Sequence, residues 1–476
     1  MDVSITGVGL ATAQGGAADV VGGAPLTAAV PWPRLRGDTA PPRAHRPARA
    51  LDPALTGGAR FAALARAALD DCLDGAAPST STPLFVATCN GAAEAWDPDG
   101  WRASFDFARA LEGTPWAGRG RAVASAACAS GLHALFLAHR ALAAGAREAV
   151  VLAADIVSRP SHESFETLRL IAGDEEPAPW QPRRTGFSLG EAAVALRVAR
   201  GRAGDDPALG GPVLGHDLDG DDGLARVLAA LAPIAPSMVV AQGTGPSPAD
   251  RAELDALRRT IDTDVPLTGA LHNFGHTLGA SGLLSAALAT LAARAAIPRA
   301  LAMPAAHASD GRPLVRGRAA SAHTVVACRA LGGACAALTI GAAPTSTPPT
   351  LGWRQPAPPP PLRDPMLRKL VYAAPRHRPA TPPDVLIVRL EAPLVPPSDA
   401  TIGGRLLPSS ILEMTPGFVA QLVTRSWGFP GAAICLVAPD DAEVQTIVAA
   451  CREAGDVVCR VDVRGRGGQR DVDWNA

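Results

Sequence analysis

The sequence contains a single lysine, Lys369, so that 43 of its 44 basic residues are arginine. A phosphate-binding loop of the GxxxxGK[ST] type is therefore excluded, because no such glycine pattern precedes this lysine. Catalysis through a Schiff base would have to use the same residue. Since 45 acidic residues leave a net charge of -1, no global positive field favours binding to nucleic acid.

The sequence also lacks the cysteine spacings that are typical of metal sites and disulfide frameworks. Its eight cysteines are scattered and form no CxxC pair, so neither a metal site nor a set of disulfides is predicted. The first residues, Met1–Ile5, do not resemble a secretory signal. The most membrane-like stretch, residues 277–293, is too short and too rich in Gly and Ser to span a bilayer. These absences predict a soluble, cytoplasmic protein without a membrane partner.

Apolar strand-like runs alternate with Ala/Leu-rich helical runs along most of the 476 residues. This alternation predicts an α/β fold whose sheets are buried on both faces. Proline is about twice as frequent as usual, and it is concentrated in residues 343–365, which we interpret as an extended Pro-rich linker. We therefore predict a main domain over residues 1–342 and a small α/β unit over residues 366–476.

The stretch Ser125–Leu135, with the sequence SAACASGLHAL, holds the best candidate for a nucleophile. Small residues around Cys128 permit a sharp turn from a strand into an Ala/Leu-rich helix. Backbone amides at the start of a helix stabilise a thiolate, both through hydrogen bonds and through the helix dipole. The simpler interpretation of an isolated cysteine is a small buried hydrophobic residue, and this stretch alone does not exclude it.

Further stretches place polar or small residues where a cleft can form. Gln242 ends a buried strand, and His276 precedes a long apolar helix. Glu191 is one carboxylate in an otherwise apolar run, and Leu331–Gly333 form a turn between two strands. Each of these features also has an ordinary structural explanation. Gln242 can simply belong to a strand-end turn, and His276 can be a packing residue. Glu191 can be a solvated surface charge, and Leu331–Gly333 can be a tight hairpin.

Together and in chain order, these stretches resemble the β-ketoacyl synthases of the thiolase superfamily over residues 1–342. The matching stretches are Ile5–Gly9 (the opening strand), Cys128–Leu132 (CASGL, the nucleophile elbow), Gly186–Glu191 (GF-x-L-G-E), Gln242–Gly245 (the HGT turn), Asn273–Gly282 (N-x-GH-x-x-x-ASG) and Leu331–Gly333 (the glycine turn). The resemblance implies a thiolase-like five-layer αβαβα fold built from two βαβ-based halves. It also implies a homodimer, or a heterodimer with another ketosynthase-like chain.

The resemblance implies a reaction as well. Cys128 would accept an acyl group from a thioester on the phosphopantetheine arm of an acyl carrier protein or of CoA, in fatty acid or polyketide-type biosynthesis and without a bound cofactor. Backbone amides of Cys128 and Leu331 would form the oxyanion hole. Gln242 and His276 would hold the oxygen of a malonyl thioester during decarboxylative condensation. The supporting residues would be Asn273, Glu191 and Gly333.

Two departures from the family pattern matter for the chemistry. Gln242 replaces the first histidine, and Leu271 replaces the lysine that precedes Asn273, so that Glu191 is expected to lack its cation. A glutamine amide donates a hydrogen bond but cannot move a proton or carry positive charge. Acyl transfer is therefore expected to survive better than condensation. The alternative is a non-catalytic partner subunit like a chain length factor, which Cys128 disfavours and the two departures favour.

The C-terminal unit permits two interpretations. Its first strand, Asp384–Val388, resembles the opening strand of the chain, and residues 436–455 resemble residues 126–145, with Ala438 at the position of Cys128. By this interpretation the unit is a truncated ketosynthase half that has lost its nucleophile. Alternatively, it is an unrelated α/β appendage. Neither interpretation gives the unit chemistry of its own.

Overall fold

The structure of the chain is a computed structural model. It describes residues 1–22, 26, 30–31, 44–49, 51–76, 78–93, 104–119, 122–172, 177–182, 186–201, 204–218, 223–231, 235–245, 247–295, 298–316, 321–341, 354–358, 360–391, 401–402, 405–406, 413–438, 441–466 and 469–475.

The strands and helices below are numbered in chain order. The strands are β1 (Val3–Thr12), β2 (Val30–Pro31), β3 (Ala44–Arg46), β4 (Leu84–Ala87), β5 (Val123–Ala124), β6 (Glu148–Asp155), β7 (Leu189–Gly190), β8 (Ala192–Arg200), β9 (Leu209–His216), β10 (Met238–Val240), β11 (Leu267–Thr268), β12 (Thr324–Arg329), β13 (Ala334–Ile340), β14 (Val385–Leu390), β15 (Thr401–Ile402), β16 (Arg405–Leu406), β17 (Ala432–Val437), β18 (Val458–Arg466) and β19 (Gln469–Asn475). The α-helices are α1 (Ala17–Gly22), α2 (Gly57–Leu73), α3 (Ala108–Leu111), α4 (Ser130–Ala143), α5 (Arg159–Thr167), α6 (Gly223–Ala229), α7 (Ser247–Thr260), α8 (Leu271–Phe274), α9 (Ser281–Arg294), α10 (Pro365–Ala373), α11 (Pro416–Trp427) and α12 (Ala442–Glu453). Short 3-10 helices cover Leu278–Ala280, Arg299–Leu301 and Ala374–His377.

The larger sheet has nine strands in the order β1-β8-β6-β4-β5-β17-β14-β18-β19. Strands β6, β4 and β5 are parallel, whereas β8 is antiparallel to both of its neighbours. The central strands are apolar on both faces, and every residue of β6 after Glu148 is buried. Such strands require a helical layer on each side of the sheet.

The second sheet has five strands in the order β11-β10-β12-β13-β9. Helices α4 and α9 lie between the two sheets: α4 packs on β6 and β9, and α9 packs on β8 and β12. Helix α9 is apolar around nearly its whole circumference, as expected for a helix that is buried on all sides. Among the described residues, no helix, α9 included, is both long enough and apolar enough to cross a membrane.

Two further layers of helices complete the arrangement. Helix α2 covers the outer face of the nine-stranded sheet at β1 and β8, and helices α6 and α7 cover the outer face of the five-stranded sheet. The layers therefore follow the order αβαβα. This order confirms the α/β fold that the alternation predicts and the five layers that the resemblance implies.

The C-terminal unit continues the larger sheet instead of forming a separate one. Strand β17 pairs with β5 in antiparallel register, with Leu436 opposite Ala124 and Val437 opposite Val123. Of the predicted linker, residues 354–358 and 360–365 are described, and residues 343–353 and 359 lie outside the described residues. The amide of Arg354 donates to the carbonyl oxygen of Gly428 at 2.8 Å, so this part of the linker lies against the end of α11.

The contact between β1 and α2 requires a glycine. A Cβ atom on Gly9 would lie 2.0 Å from the carbonyl oxygen of Ala68 and 2.3 Å from the amide nitrogen of Cys72, both in the backbone of α2. Since helix backbone cannot move aside as a flexible side chain can, β1 and α2 approach this closely only because residue 9 has no side chain.

We predict that Gly9→Ala lowers the free energy of unfolding by about 1–3 kcal/mol, because the added methyl group overpacks this contact. The measurement is the Tm in thermal unfolding at a fixed scan rate. Gly58→Ala is the matched control, since a Cβ atom there meets nothing within 4 Å. The control is expected to be neutral or slightly stabilising. Equal Tm values for the two variants would contradict the prediction.

Candidate active site

Cys128 lies in a sharp turn between strand β5 and helix α4. Ala127, just before it, has a φ of 50°, which a residue with a side chain rarely adopts. The hydroxyl of Ser130 holds the turn, because it accepts a hydrogen bond from the amide of Ala126 at 2.9 Å and donates one to the carbonyl oxygen of Ala127 at 2.6 Å. The turn thus places the sulfur at the start of a buried helix, as the small residues around it predict.

The side chain of His276 lies in contact with this sulfur. Its Nε2 is 3.1 Å from the Sγ of Cys128, and its Nδ1 accepts a hydrogen bond from the amide of Leu278 at 3.2 Å. This second bond assigns the proton to Nε2, which therefore points toward the sulfur as a donor. The ring also stacks on Phe187, with 4.6 Å between the ring centroids, which fixes its orientation.

The thiol and the imidazole are both electrically neutral at pH 7. Burial raises the pKa of Cys128 to about 11, although hydrogen bonds from the backbone amides of Leu331 and Cys128 and from the side chain of Gln242 oppose this rise. Burial also lowers the pKa of His276 to about 4. The pair is thus a thiol beside a neutral donor, unlike the thiolate–imidazolium pair that depresses a cysteine pKa.

The backbone amides of Leu331 and Cys128 both donate toward the sulfur. Leu331 belongs to a turn in which Gly332 and Gly333 have φ values of 96° and 91°, so both positions favour glycine. The turn is anchored from β9, because the amide of Asp217 donates to the carbonyl oxygen of Gly333 at 2.8 Å. The Leu331 side chain itself is 38% exposed.

Gln242 approaches the sulfur from the end of strand β10. Its Oε1 accepts a hydrogen bond from the amide of Arg329 at 3.1 Å, which directs the NH2 group toward Cys128. The Nε2 atom is buried and has no hydrogen-bonded oxygen or nitrogen among the described residues. A buried donor of this kind is available to an oxygen atom of a ligand.

Glu253 on helix α7 fixes the backbone of Gln242. Its carboxylate accepts hydrogen bonds from the amides of Gln242 and Gly243, each at 2.9 Å, and from the indole nitrogen of Trp180 at 2.8 Å. Burial and the neighbouring Asp250 raise the pKa of Glu253 to about 7. The sequence shows this residue only as one of several charges after the Gly/Thr turn, so its role is visible only in the structure.

Asn273 and Glu191 lie around the site without touching the sulfur. The amide group of Asn273 donates to the carbonyl oxygen of Ala300 at 2.8 Å and so supports the segment that leads to His276. The strand before Glu191 pairs with this segment, since the amide of Gly190 donates to the carbonyl oxygen of His276 at 3.0 Å. Both residues therefore act on the site through the backbone around His276.

The expectation that Glu191 lacks a cation is wrong. The guanidinium of Arg60, on helix α2, pairs with its carboxylate at 2.6 Å, and the amide of Ala48 donates to it at 3.0 Å. Glu191 is only 3% exposed, so it is not a solvated surface charge either. The positive charge that Leu271 does not provide thus comes from Arg60, which is 131 residues away from Glu191 in the sequence.

Asp155, at the end of β6, is a functional candidate that the sequence analysis missed. Its buried carboxylate accepts hydrogen bonds from the amides of Cys89 and Gly279, both at 2.8 Å, and from the hydroxyl of Thr88 at 2.9 Å. Burial raises its pKa to about 6. Asp155 joins the loop after β4 to the segment just after His276. In the sequence, the feature that could have indicated this role is a carboxylate at the end of a largely apolar strand.

Two family models match the chain. The model of the N-terminal domain of β-ketoacyl synthases matches residues 117–203, and the model of their C-terminal domain matches residues 225–303. No curated protein sequence matches the chain. The fold and the site define a ketosynthase-like protein of the thiolase type. Over residues 117–203 and 225–303 the chain is similar to the β-ketoacyl synthase family, as a divergent sequence.

Solved structures with the same fold include three that are informative. A PfaC keto synthase–chain length factor is 13% identical, with a TM-score of 0.72, and the match covers 97% of this chain and 74% of that one. A ketosynthase in complex with its chain length factor from Xenorhabdus doucetiae is 20% identical, with a TM-score of 0.57, and the match covers 71% of this chain and 98% of that one. A type II PKS acyl-carrier protein in complex with its ketosynthase is 17% identical, with a TM-score of 0.57, and the match covers 71% of this chain and 98% of that one.

We predict that alkylation of Cys128 by iodoacetamide accelerates about tenfold for each pH unit between pH 7 and pH 10, because only the thiolate reacts and its pKa is about 11. Peptide mass mapping at timed intervals measures the rate at this cysteine separately from the other seven. Cys128→Ala provides the background. A rate that is already constant between pH 7 and pH 8 would show an ion pair and contradict the prediction.

Proposed function

We propose that this protein accepts an acyl group from a thioester onto Cys128. The observation that carries this proposal is the convergence on one sulfur of the Nε2 of His276, the side chain of Gln242 and the amides of Leu331 and Cys128. A nucleophile at the start of a helix, with two backbone donors beside it, is the arrangement that acyl transfer requires.

In the proposed step, the sulfur of Cys128 attacks the carbonyl carbon of the incoming thioester. The carbonyl oxygen becomes an oxyanion, which accepts hydrogen bonds from the amides of Leu331 and Cys128. The carbon–sulfur bond to the donor then breaks, and the leaving thiol takes up the proton that Cys128 lost. Because burial raises the pKa of Cys128 to about 11, the thiol is the main form at pH 7, so we propose that loss of the proton accompanies the attack.

We further propose that the acyl donor is carried on a phosphopantetheine arm, on an acyl carrier protein or CoA, in fatty acid or polyketide-type biosynthesis. A similar structure contains an acyl-carrier protein in complex with its ketosynthase, and the site here has the donors that a thioester needs. The arm is part of the substrate, and no resident cofactor takes part in the proposed step.

Decarboxylative condensation is the slower second activity that we propose. The carbonyl oxygen of a malonyl thioester would lie between the Nε2 of His276 and the Nε2 of Gln242, both of which are donors. As carbon dioxide leaves, negative charge builds on this oxygen. A glutamine amide stabilises that charge by one hydrogen bond and carries no positive charge. Decarboxylation is therefore slower here than in a site with two histidines.

We expect incubation with acyl thioesters to add the acyl mass to the wild-type protein, as measured by intact mass spectrometry. Cys128→Ala is expected to abolish the adduct, because it removes the nucleophile. Cys72→Ala, which removes a buried cysteine of α2, should retain it. A correctly folded wild-type protein that forms no adduct with either acyl-CoA or acyl carrier protein would refute acyl transfer and favour a role as a non-catalytic, chain-length-factor-like subunit.

Release of carbon dioxide from a malonyl thioester tests the role of Gln242. Gln242→Ala is expected to slow the release about 10²–10³-fold, the effect of losing one oxyanion donor. Gln242→His is expected to raise it at least about tenfold over the wild type, because an imidazole can also carry positive charge. An unchanged rate in Gln242→Ala would remove Gln242 from the mechanism.

A further inference from the structure

The nine-stranded sheet repeats itself around the contact between β5 and β17. Outward from this contact, the neighbours of β5 are β4, β6 and β8, and the neighbours of β17 are β14, β18 and β19. On each side the first two pairings are parallel and the third is antiparallel, and the main domain adds one further strand, β1, outside β8. The four strands also occur in the same chain order on both sides. The order of strands is therefore that of two related halves facing each other.

The helices extend this repeat. Helix α4 follows β5 and helix α12 follows β17, and the two helices pack against each other across the contact. Arg140 on α4 forms an ion pair of 2.9 Å with Asp456, just beyond α12. Ala438 follows β17 as Cys128 follows β5, which is the correspondence seen in the sequence. An unrelated appendage would have no reason to share this order of strands and helices.

The contact closes the edge of the sheet at β5. The amide of Ser125 donates to the carbonyl oxygen of Cys435 at 3.0 Å, which continues the pairing of β5 with β17 toward Cys128. Apolar residues of both units pack together: Leu436 and Val437 of β17 lie in two different hydrophobic cores, and each of these cores is otherwise built mainly from the main domain. Since β5 is paired on both sides, no second copy of the chain can add a strand there.

The C-terminal unit also reaches the candidate active site. At Gly417 of helix α11 a Cβ atom would lie 2.7 Å from the carbonyl oxygen of Ser125, so the helix lies directly on the segment that leads to Cys128. One turn later, Gln421 covers the glycine turn: its Nε2 lies 2.8 Å from where a Cβ atom of Gly333 would be. Gln421 is 8% exposed, and its Oε1 is buried without a hydrogen-bond partner among the described residues.

We propose that the C-terminal unit is a partial second ketosynthase half that takes the place of a partner subunit, and that its Gln421 is a positioning residue for the active site. Gln421 packs on Gly332 and Gly333 and thereby holds the amide of Leu331 against Cys128. The site is thus completed within one chain, and dimerisation through β5 is not needed. The effect on acylation rests on the proposed function, whereas the pairing of β5 with β17 does not.

A cross-link tests whether the pairing lies within one chain. Ala124 and Leu436 are directly opposite each other, at a spacing that a disulfide can span, so Ala124→Cys combined with Leu436→Cys is expected to form one on oxidation. The linked protein should run at the monomer mass of 48.5 kDa on a non-reducing gel, with the link identified by peptide mapping. Ala124→Cys alone is the control. A link between two chains at twice that mass, or no link, would overturn the proposal.

Two substitutions test Gln421. In Gln421→Ala the Leu331 amide is held less firmly, so we expect both acylation of Cys128 and its alkylation by iodoacetamide at pH 9 to slow at least about fivefold, with Tm nearly unchanged. Gln445→Ala is the matched control, because Gln445 lies on the exposed face of α12. Gln421→Met, which keeps the length of the side chain without adding a charge, should restore part of the alkylation rate. Rates in Gln421→Ala equal to those of the wild type would refute the role.

The acyl adduct tests the proposed function, whereas the cross-link and the alkylation rate test this inference, so that the two can fail independently. If the wild type forms no acyl adduct, acyl transfer fails as a function, and the cross-link and the alkylation rate still decide the role of the C-terminal unit. If the wild type is acylated and Gln421→Ala behaves like the wild type in both assays, the proposed function stands and the role of Gln421 falls.

Discussion

The two residues of strand β5 carry the constraint on which the rest of the structure depends. They pair with β4 on one side and with β17 on the other, and the chain then turns at once into Cys128 and helix α4. A strand that is hydrogen-bonded along both edges cannot shift without breaking both pairings. The sulfur is therefore fixed by the main domain and by the C-terminal unit together, and the two units share one sheet and one core.

The site built on this strand is almost free of charge at its centre. Burial keeps the thiol of Cys128 protonated and His276 neutral, so the groups that face a bound thioester are hydrogen-bond donors and not ions. The carboxylates lie one step further out, where Glu253 holds the backbone of Gln242 and Asp155 holds the loop after His276. Such fixed donors stabilise negative charge that develops on oxygen without having to reorganise.

Much of this arrangement follows from local patterns in the sequence. The alternation of strands and helices predicts the α/β layers, and the first strand predicted for the C-terminal unit, Asp384–Val388, lies at β14. The turn at Cys128 and the glycines after Leu331 are also local, because they depend on small side chains and on positive φ. The partners of buried charges are not local: Arg60 reaches Glu191 from a distant helix, and Asp155 accepts hydrogen bonds from two separate segments.

The sequence by itself determined which residues can do chemistry: a cysteine at the start of a helix, a glutamine where the family has a histidine, and a histidine before an apolar helix. Their side-chain types and the order of their motifs are properties of the chain alone. Only the tertiary structure decided that the thiol stays protonated, that Arg60 neutralises Glu191, and that helix α11 covers the glycine turn. These outcomes depend on burial and on contacts between remote segments, and a linear pattern contains no information about which segments exclude water from one another.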